Sequence, residues 1–255
     1  MIDRDGRCRL IAYLTCGEPS LEATVEVALE LERAGASALE LGVPFSDPIA
    51  DGPVIQEASR RALSRGTTVA GVLDAAREIR AQSGIPLIAF SYLNPVLRFG
   101  IERFARAARA SGFDAVLITD LPAEDAAEAK SIIRREGLHL IFLLAPTSSP
   151  HRVAMVDRMS TSFIYYVSTA GVTGDRRDLD PLLLERLRTL RPQLRRPLAV
   201  GFGISTPEHY RLLAPHCDAV VVGSAIMRAI AAPGGEGVAG RAGEVVRSML
   251  RGPGV

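Results

Sequence analysis

Charge of one sign is what this sequence most lacks: 30 Lys and Arg stand against 29 Asp and Glu, a formal net charge of +1. That balance gives no electrostatic reason to expect nucleic acid or an anionic membrane as a partner. Long apolar runs are missing too. Nothing approaches the ~20 residues of a membrane-spanning helix, and no apolar stretch of a secretory signal follows the charged start Met1-Ile-Asp-Arg-Asp5. The expected location is the cytoplasm. Cysteines are few: Cys8, Cys16 and Cys217 form an odd set without a C-x-x-C pair, which points to reduced thiols rather than a disulfide framework or a zinc site. Lysine is almost absent, since Lys130 is the only one and nearly every basic residue is arginine.

What is present is apolar. Hydrophobic residues make up 47% of the 255 and charged residues 23%, enough to bury a sizeable core and unlike a disordered chain. Short β-branched segments recur at Leu10 to Thr15, Ala38 to Gly42, Leu87 to Ser91, Ala115 to Thr119, Leu138 to Leu144, Phe163 to Val167, Leu198 to Gly201 and Ala219 to Val222. Amphipathic stretches separate them. In Leu21 to Ala34, for example, Leu21, Val25, Ala28 and Leu29 form a stripe, Ser20 is placed to cap the start and Gly35 to end the helix.

Strands alternating with helices imply right-handed crossovers and a parallel sheet, and eight such units close most economically into an α/β, eight-fold (β/α) barrel. The length matches the roughly 250 residues of such a barrel. An open doubly wound sheet is the alternative, but no Gly-x-Gly-x-x-Gly opens the first helix. Without a linker or an internal repeat, residues 1–255 are expected to form one barrel domain. Gly234 to Gly240 is expected to be a surface loop.

In a barrel, function collects where the strands end at the C-terminal face. Two connections there look long, Val43 to Gln56 and Ser168 to Asp180. Glu40 lies just before the first, inside an otherwise apolar strand where a carboxylate has little solvation. Burial would raise its pKa, which suits a group that gives and takes a proton; an ion pair with a neighbouring arginine is the bland alternative. Asp51, before Gly52, reads by itself as a turn residue. Gly201-Phe-Gly203 follows the seventh strand and Gly223-Ser224 the eighth. Glycine lets backbone N–H groups approach an anion, and a helix starting at Ser224 would aim its positive end inward, where barrels commonly bind phosphate. Gly171-Val-Thr-Gly174 is placed to add a flap over the same site.

Several of these stretches resemble the tryptophan synthase alpha subunit family: Glu40-Leu-Gly-Val-Pro-Phe-Ser-Asp-Pro-Ile-Ala-Asp51-Gly-Pro, Ser91-Tyr-Leu-Asn-Pro95, Asp120-Leu-Pro-Ala-Glu124, Ala145-Pro-Thr147, Tyr166-Val-Ser-Thr-Ala-Gly-Val-Thr-Gly174, Val200-Gly-Phe-Gly-Ile-Ser205 and Gly223-Ser-Ala-Ile226. The resemblance runs from about Ile11 to Ile230. It implies a barrel that cleaves indole-3-glycerol phosphate to indole and glyceraldehyde 3-phosphate by retro-aldol chemistry, with indole passed to a pyridoxal-phosphate beta subunit. By the same resemblance Glu40 is the acid/base and Asp51 the catalytic aspartate. Tyr92, Tyr165 and Thr173 lie near the substrate, and Gly174, Phe202, Gly203, Gly223 and Ser224 hold its phosphate. The sequence departs from the pattern in a short stretch before the first strand, at Ala12, in Cys16-Gly-Glu18 and at Asp175, where a carboxylate near the phosphate would weaken binding.

The implied chemistry sets its own requirements. The bond joining the side chain to the indole ring breaks only when ring carbon can accept electrons, and protonating that carbon makes an iminium-like ring that does. An acid is needed above the ring, then a base for the side-chain hydroxyl; Glu40 can serve as both while an ionised Asp51 steadies charge at the indole N–H. A Schiff-base route needs a lysine facing the pocket, and Lys130 sits in a helical stretch among Glu124, Glu128, Arg134 and Arg135. His139, His151, His209 and His216 show no metal-ligand spacing, so neither metal nor cofactor is expected. A stand-alone lyase releasing free indole, or a non-catalytic activating subunit, are the other readings.

Overall fold

The computed structural model describes residues 2, 4–168, 182–201, 203–233 and 237–251. Eight strands form a closed parallel barrel in sequence order: β1 (Arg9–Thr15), β2 (Ala38–Gly42), β3 (Leu87–Ser91), β4 (Ala115–Ile118), β5 (His139–Leu144), β6 (Ile164–Val167), β7 (Leu198–Gly201) and β8 (Ala219–Val222). The strands agree with the expected segments to within a residue at either end, and the open-sheet alternative is excluded by the pairing of β1 with β8, Arg9 opposite Ala219 through Ala12 opposite Val222.

The helices in order are α1 (Leu21–Arg33), α2 (Pro53–Ser64), α3 (Val69–Arg80), α4 (Leu93–Phe99), α5 (Ile101–Ala110), α6 (Ala127–Arg135), α7 (Pro150–Met159), α8 (Leu183–Leu190), α9 (Pro207–Leu213), α10 (Ser224–Ala231) and α11 (Val238–Leu250). Local chemistry explains their ends. Ser20 caps α1 by accepting from the Ala23 N–H at 3.1 Å, and the chain leaves that helix through Gly35 at φ +110°. The buried face of α1 is wider than the expected stripe, with Thr24, Val27 and Leu31 joining Val25 and Ala28 while Leu21 and Leu29 stay half-buried, because the helix packs against both α3 and α11.

Two expected boundaries shift. The connection after β2 ends at Gly52, not Gln56, because Pro53 takes the first helical position, where its missing N–H costs nothing. The glycine-rich stretch before the C-terminus is not all loop: Gly237 caps α11 and Gly240 lies in its first turn. Residues 234–236 lie outside the described residues.

Candidate active site

Every residue of β2 is buried, and Glu40 at its centre is 0% exposed. Neither carboxyl oxygen has a hydrogen-bond partner, and no arginine pairs with it among the described residues, so the ion-pair alternative does not hold. Desolvation alone pushes the carboxyl up to about 8. Tyr13 on β1 is the register partner of Glu40. Its ring lies over Gly42, where a Cβ would strike the Tyr13 hydroxyl and ring, so a glycine is required two residues beyond the glutamate.

Asp51 comes from the loop of residues 43–52, and that loop is held by specific bonds. The Asp51 N–H donates to the Pro48 carbonyl at 3.0 Å, and Gln56 in the first turn of α2 donates from Nε2 to the Asp51 carbonyl at 2.9 Å. The Tyr92 hydroxyl, at the end of β3, accepts from the Ala50 N–H at 3.0 Å and donates to Asp51 Oδ2 at 3.1 Å. The Tyr92 ring packs on Phe45 with centroids 5.2 Å apart. Asp51 is thereby 3% exposed with Oδ1 unpartnered. Burial raises its carboxyl to about 6, and the Tyr92 hydroxyl partly opposes the rise. The carboxylate bonds to a tyrosine 41 positions away rather than to its own turn, which sets aside the plain turn reading.

A pocket opens at this end of the barrel, lined by Tyr13, Asp51, Phe90, Tyr165, Gly203 and Ser224 among others, with about 440 Å³ of empty space including its mouth. Tyr165 on β6 is 3% exposed, and a Cβ on Gly201 of β7 would collide with its hydroxyl. Glu40 is not part of the wall, but its charge reaches two residues that are, Tyr165 and Tyr13. On the far side Gly203 adopts φ +80° and Gly223 precedes α10 without a side-chain cap. The first N–H groups of an α-helix have no partners within it, and its N-terminal end carries partial positive charge, so Ser224 opens an anion-seeking edge on the pocket.

The structure therefore brings Glu40, Asp51, Tyr92, Tyr165, Gly203, Gly223 and Ser224 to one end of the barrel. Thr173, Gly174 and Phe202, with the flap from Gly171 and the departure at Asp175, lie outside the described residues. Tyr13 and Phe90, packed edge to face at 5.1 Å, were not singled out from the sequence; each is the one aromatic residue of its apolar strand. Lys130 sits on α6 with Nζ 3.5 Å from the Arg158 carbonyl, away from the pocket. No cluster of three or more His, Cys, Asp or Glu is placed to hold a metal among the described residues, and none of their helices is long and apolar enough to cross a membrane.

The family model for the tryptophan synthase alpha chain matches residues 2–249. The chain belongs to the tryptophan synthase alpha chain family. Among its relatives, the tryptophan synthase alpha chain of Solibacter usitatus is 49% identical over 229 residues, 90% of this chain and 86% of that protein. The alpha chain of a Geobacter species is 50% identical over 223 residues, 88% and 84% of the two chains. The solved tryptophan synthase complex from Pyrococcus furiosus superposes with a TM-score of 0.89 at 38% identity, covering 98% of this chain and 99% of that one. The alpha chain from Legionella pneumophila does so with a TM-score of 0.86 at 34% identity, covering 95% and 90%.

Proposed function

We propose that Glu40 and Asp51 carry the alpha reaction of tryptophan synthase in this chain, the retro-aldol cleavage of indole-3-glycerol phosphate to indole and glyceraldehyde 3-phosphate. The observation that supports this most is a pair of buried carboxyl groups, each with unpartnered oxygen, whose pKa values are split to about 8 and about 6, Asp51 in the pocket wall and Glu40 the register partner of the wall residue Tyr13. Near neutral pH that split keeps Glu40 mostly protonated and Asp51 mostly ionised, one acid and one anion from two carboxyl groups.

Glu40 first turns from its buried position into the pocket and protonates the ring carbon that bears the glycerol side chain. The ring becomes iminium-like, and Asp51, held by Tyr92, stabilises positive charge at the indole N–H. As the carbon–carbon bond breaks, its electrons return to the ring and restore indole. The side-chain hydroxyl proton passes to the Glu40 carboxylate as the aldehyde forms, which regenerates the acid. Gly203, Gly223 and Ser224, with Gly174 and Phe202, hold the phosphate, so that binding energy remote from the breaking bond fixes the ring against Glu40. Tyr165 and Thr173 bound the indole.

The beta subunit, a pyridoxal-phosphate enzyme, receives the indole. By the family resemblance the loop from Pro44 to Pro53 and the segment around Asn94 and Pro95 face it, and docking there would couple partner binding to the placement of Asp51. We place the reaction in the cytoplasm, a setting that fits three free thiols. The test is indole formation from indole-3-glycerol phosphate by the purified chain, alone and with a cognate beta subunit. Activation of tenfold or more, about 1.4 kcal/mol in the barrier, is expected. Absence of turnover in both arms would overturn the reading, and a fast enzyme indifferent to the partner would favour the stand-alone lyase.

A further inference from the structure

The two ends of the barrel differ in chemistry, and the end away from the pocket holds a group of reactive atoms that the alpha reaction does not use. Cys8 immediately precedes β1, and Cys217 lies two residues before β8. Barrel closure pairs those strands, with the Arg9 N–H donating to the Asp218 carbonyl at 2.9 Å. The two sulfurs, 209 positions apart in sequence, end 3.8 Å from each other. Closing the sulfurs to about 2.05 Å takes side-chain rotation and no change of strand register.

The surroundings are asymmetric. Cys8 is half-buried, and its carbonyl is held by the Tyr210 hydroxyl at 2.9 Å. Cys217 is 8% exposed, with its thiol 3.3 Å from the Leu213 carbonyl. The Cys8 contact and burial raise the Cys217 thiol well above its ordinary value, so Cys8 is the thiol that solvent reagents reach. Cys16 is fully buried at 0% exposure, with burial raising its thiol as well, and it supplies an internal control.

We propose that Cys8 and Cys217 form a reversible thiol-oxidation site, a dithiol that low-molecular-weight disulfides convert to a covalent clasp across the seam between the first and last strands. In the first step the Cys8 thiolate attacks one sulfur of the oxidant, forming a mixed disulfide and releasing one small thiol. Cys217, deprotonated as it attacks, then displaces the second small thiol from Cys8. Two protein thiols are oxidised, the oxidant disulfide is reduced to two thiols, and two protons end on them. Because the clasp joins strand starts opposite the pocket, it leaves Glu40 and Asp51 in place while restraining the unfolded chain across nearly the whole sequence.

The test exposes the full-length chain to oxidised glutathione under native conditions. The expected result is a fall from three titratable thiols to one, loss of the mass of two hydrogens, and a Cys8–Cys217 cross-linked peptide with Cys16 alkylated only after denaturation. Indole formation should be unchanged, the thermal midpoint should rise by about 5 °C or more, and a monothiol reductant should reverse both changes in the protein. Cys217→Ser should stop at the glutathione adduct on Cys8, and Cys8→Ser should leave Cys217 unmodified. A stable adduct on Cys8 of the unmutated chain, a dimer linked through Cys8, or retention of both thiols would overturn the proposal.

Discussion

Replacing Glu40 by Gln removes a titratable group while nearly preserving its shape, and the burial of the carboxyl sets what should happen to stability. In the unfolded chain this side chain ionises near 4.5, and in the folded chain near 8. Between those values the folded state holds a proton that the unfolded state has released, so rising pH favours unfolding. The wild-type chain is most stable, as far as this group is concerned, below about pH 4.5 and loses that stability as pH climbs through 8. The slope reaches about 1.4 kcal/mol per pH unit, and the whole window sums to something on the order of 5 kcal/mol. The Gln variant has no such dependence. Relative to wild type it should gain less than about 1 kcal/mol at pH 5 and about 3 kcal/mol at pH 7, with the gain levelling off above pH 8. Asp51 titrates in both proteins and cancels in the difference. Urea unfolding of the two proteins at pH 5, 7 and 8.5 measures it. Parallel stability curves, with a constant offset across that range, would mean that Glu40 ionises normally and would refute the desolvation argument.

The same two carboxyl groups should give kcat a bell-shaped pH dependence with limbs near 6 and 8, because protonating Asp51 removes the anion and ionising Glu40 removes the acid. Tyr92→Phe should move the lower limb upward, since the hydroxyl that holds the Asp51 pKa down is gone; an unmoved limb would detach that limb from Asp51. Gly201→Ala should raise KM and cost roughly 1–3 kcal/mol of stability, because the added methyl meets the Tyr165 hydroxyl, and wild-type values for both in a thermal melt and a steady-state assay would contradict the packing described. Ser224→Asp should raise KM at least tenfold with kcat changed much less, since a carboxylate at the start of α10 repels a phosphate bound there; an unchanged KM would place the anion elsewhere.

Much of this architecture can be read from short-range signals. Each strand is a brief apolar run, and β2, β3, β7 and β8 are legible to the residue. Glu40 is legible because a charged residue interrupts an apolar run. What the sequence does not show is who stands beside whom once the barrel closes. The abundance of arginine left an ion pair for Glu40 open, and only the register and packing around Tyr13 show that no arginine among the described residues arrives. The bond from Tyr92 to Asp51 joins two different βα connections, and the approach of Cys8 to Cys217 depends on β1 meeting β8. Proline at the start of α2 was a visible signal that shortened the loop by its fixed φ. The wider buried face of α1 reflects a second packing partner, α11, from the far end of the chain.

In the proposed reaction Glu40 moves the proton that breaks the bond. Its most direct test is the turnover of indole-3-glycerol phosphate by Glu40→Gln, with Asp51→Asn measured alongside, each as a folded chain saturated with substrate near pH 7 and each assayed for indole. At least about a hundredfold loss of kcat is expected in both, the scale of losing a positioned acid or a charge-stabilising group, with KM little changed because the phosphate contacts remain. A folded Glu40→Gln chain that forms indole at close to the wild-type rate would contradict it.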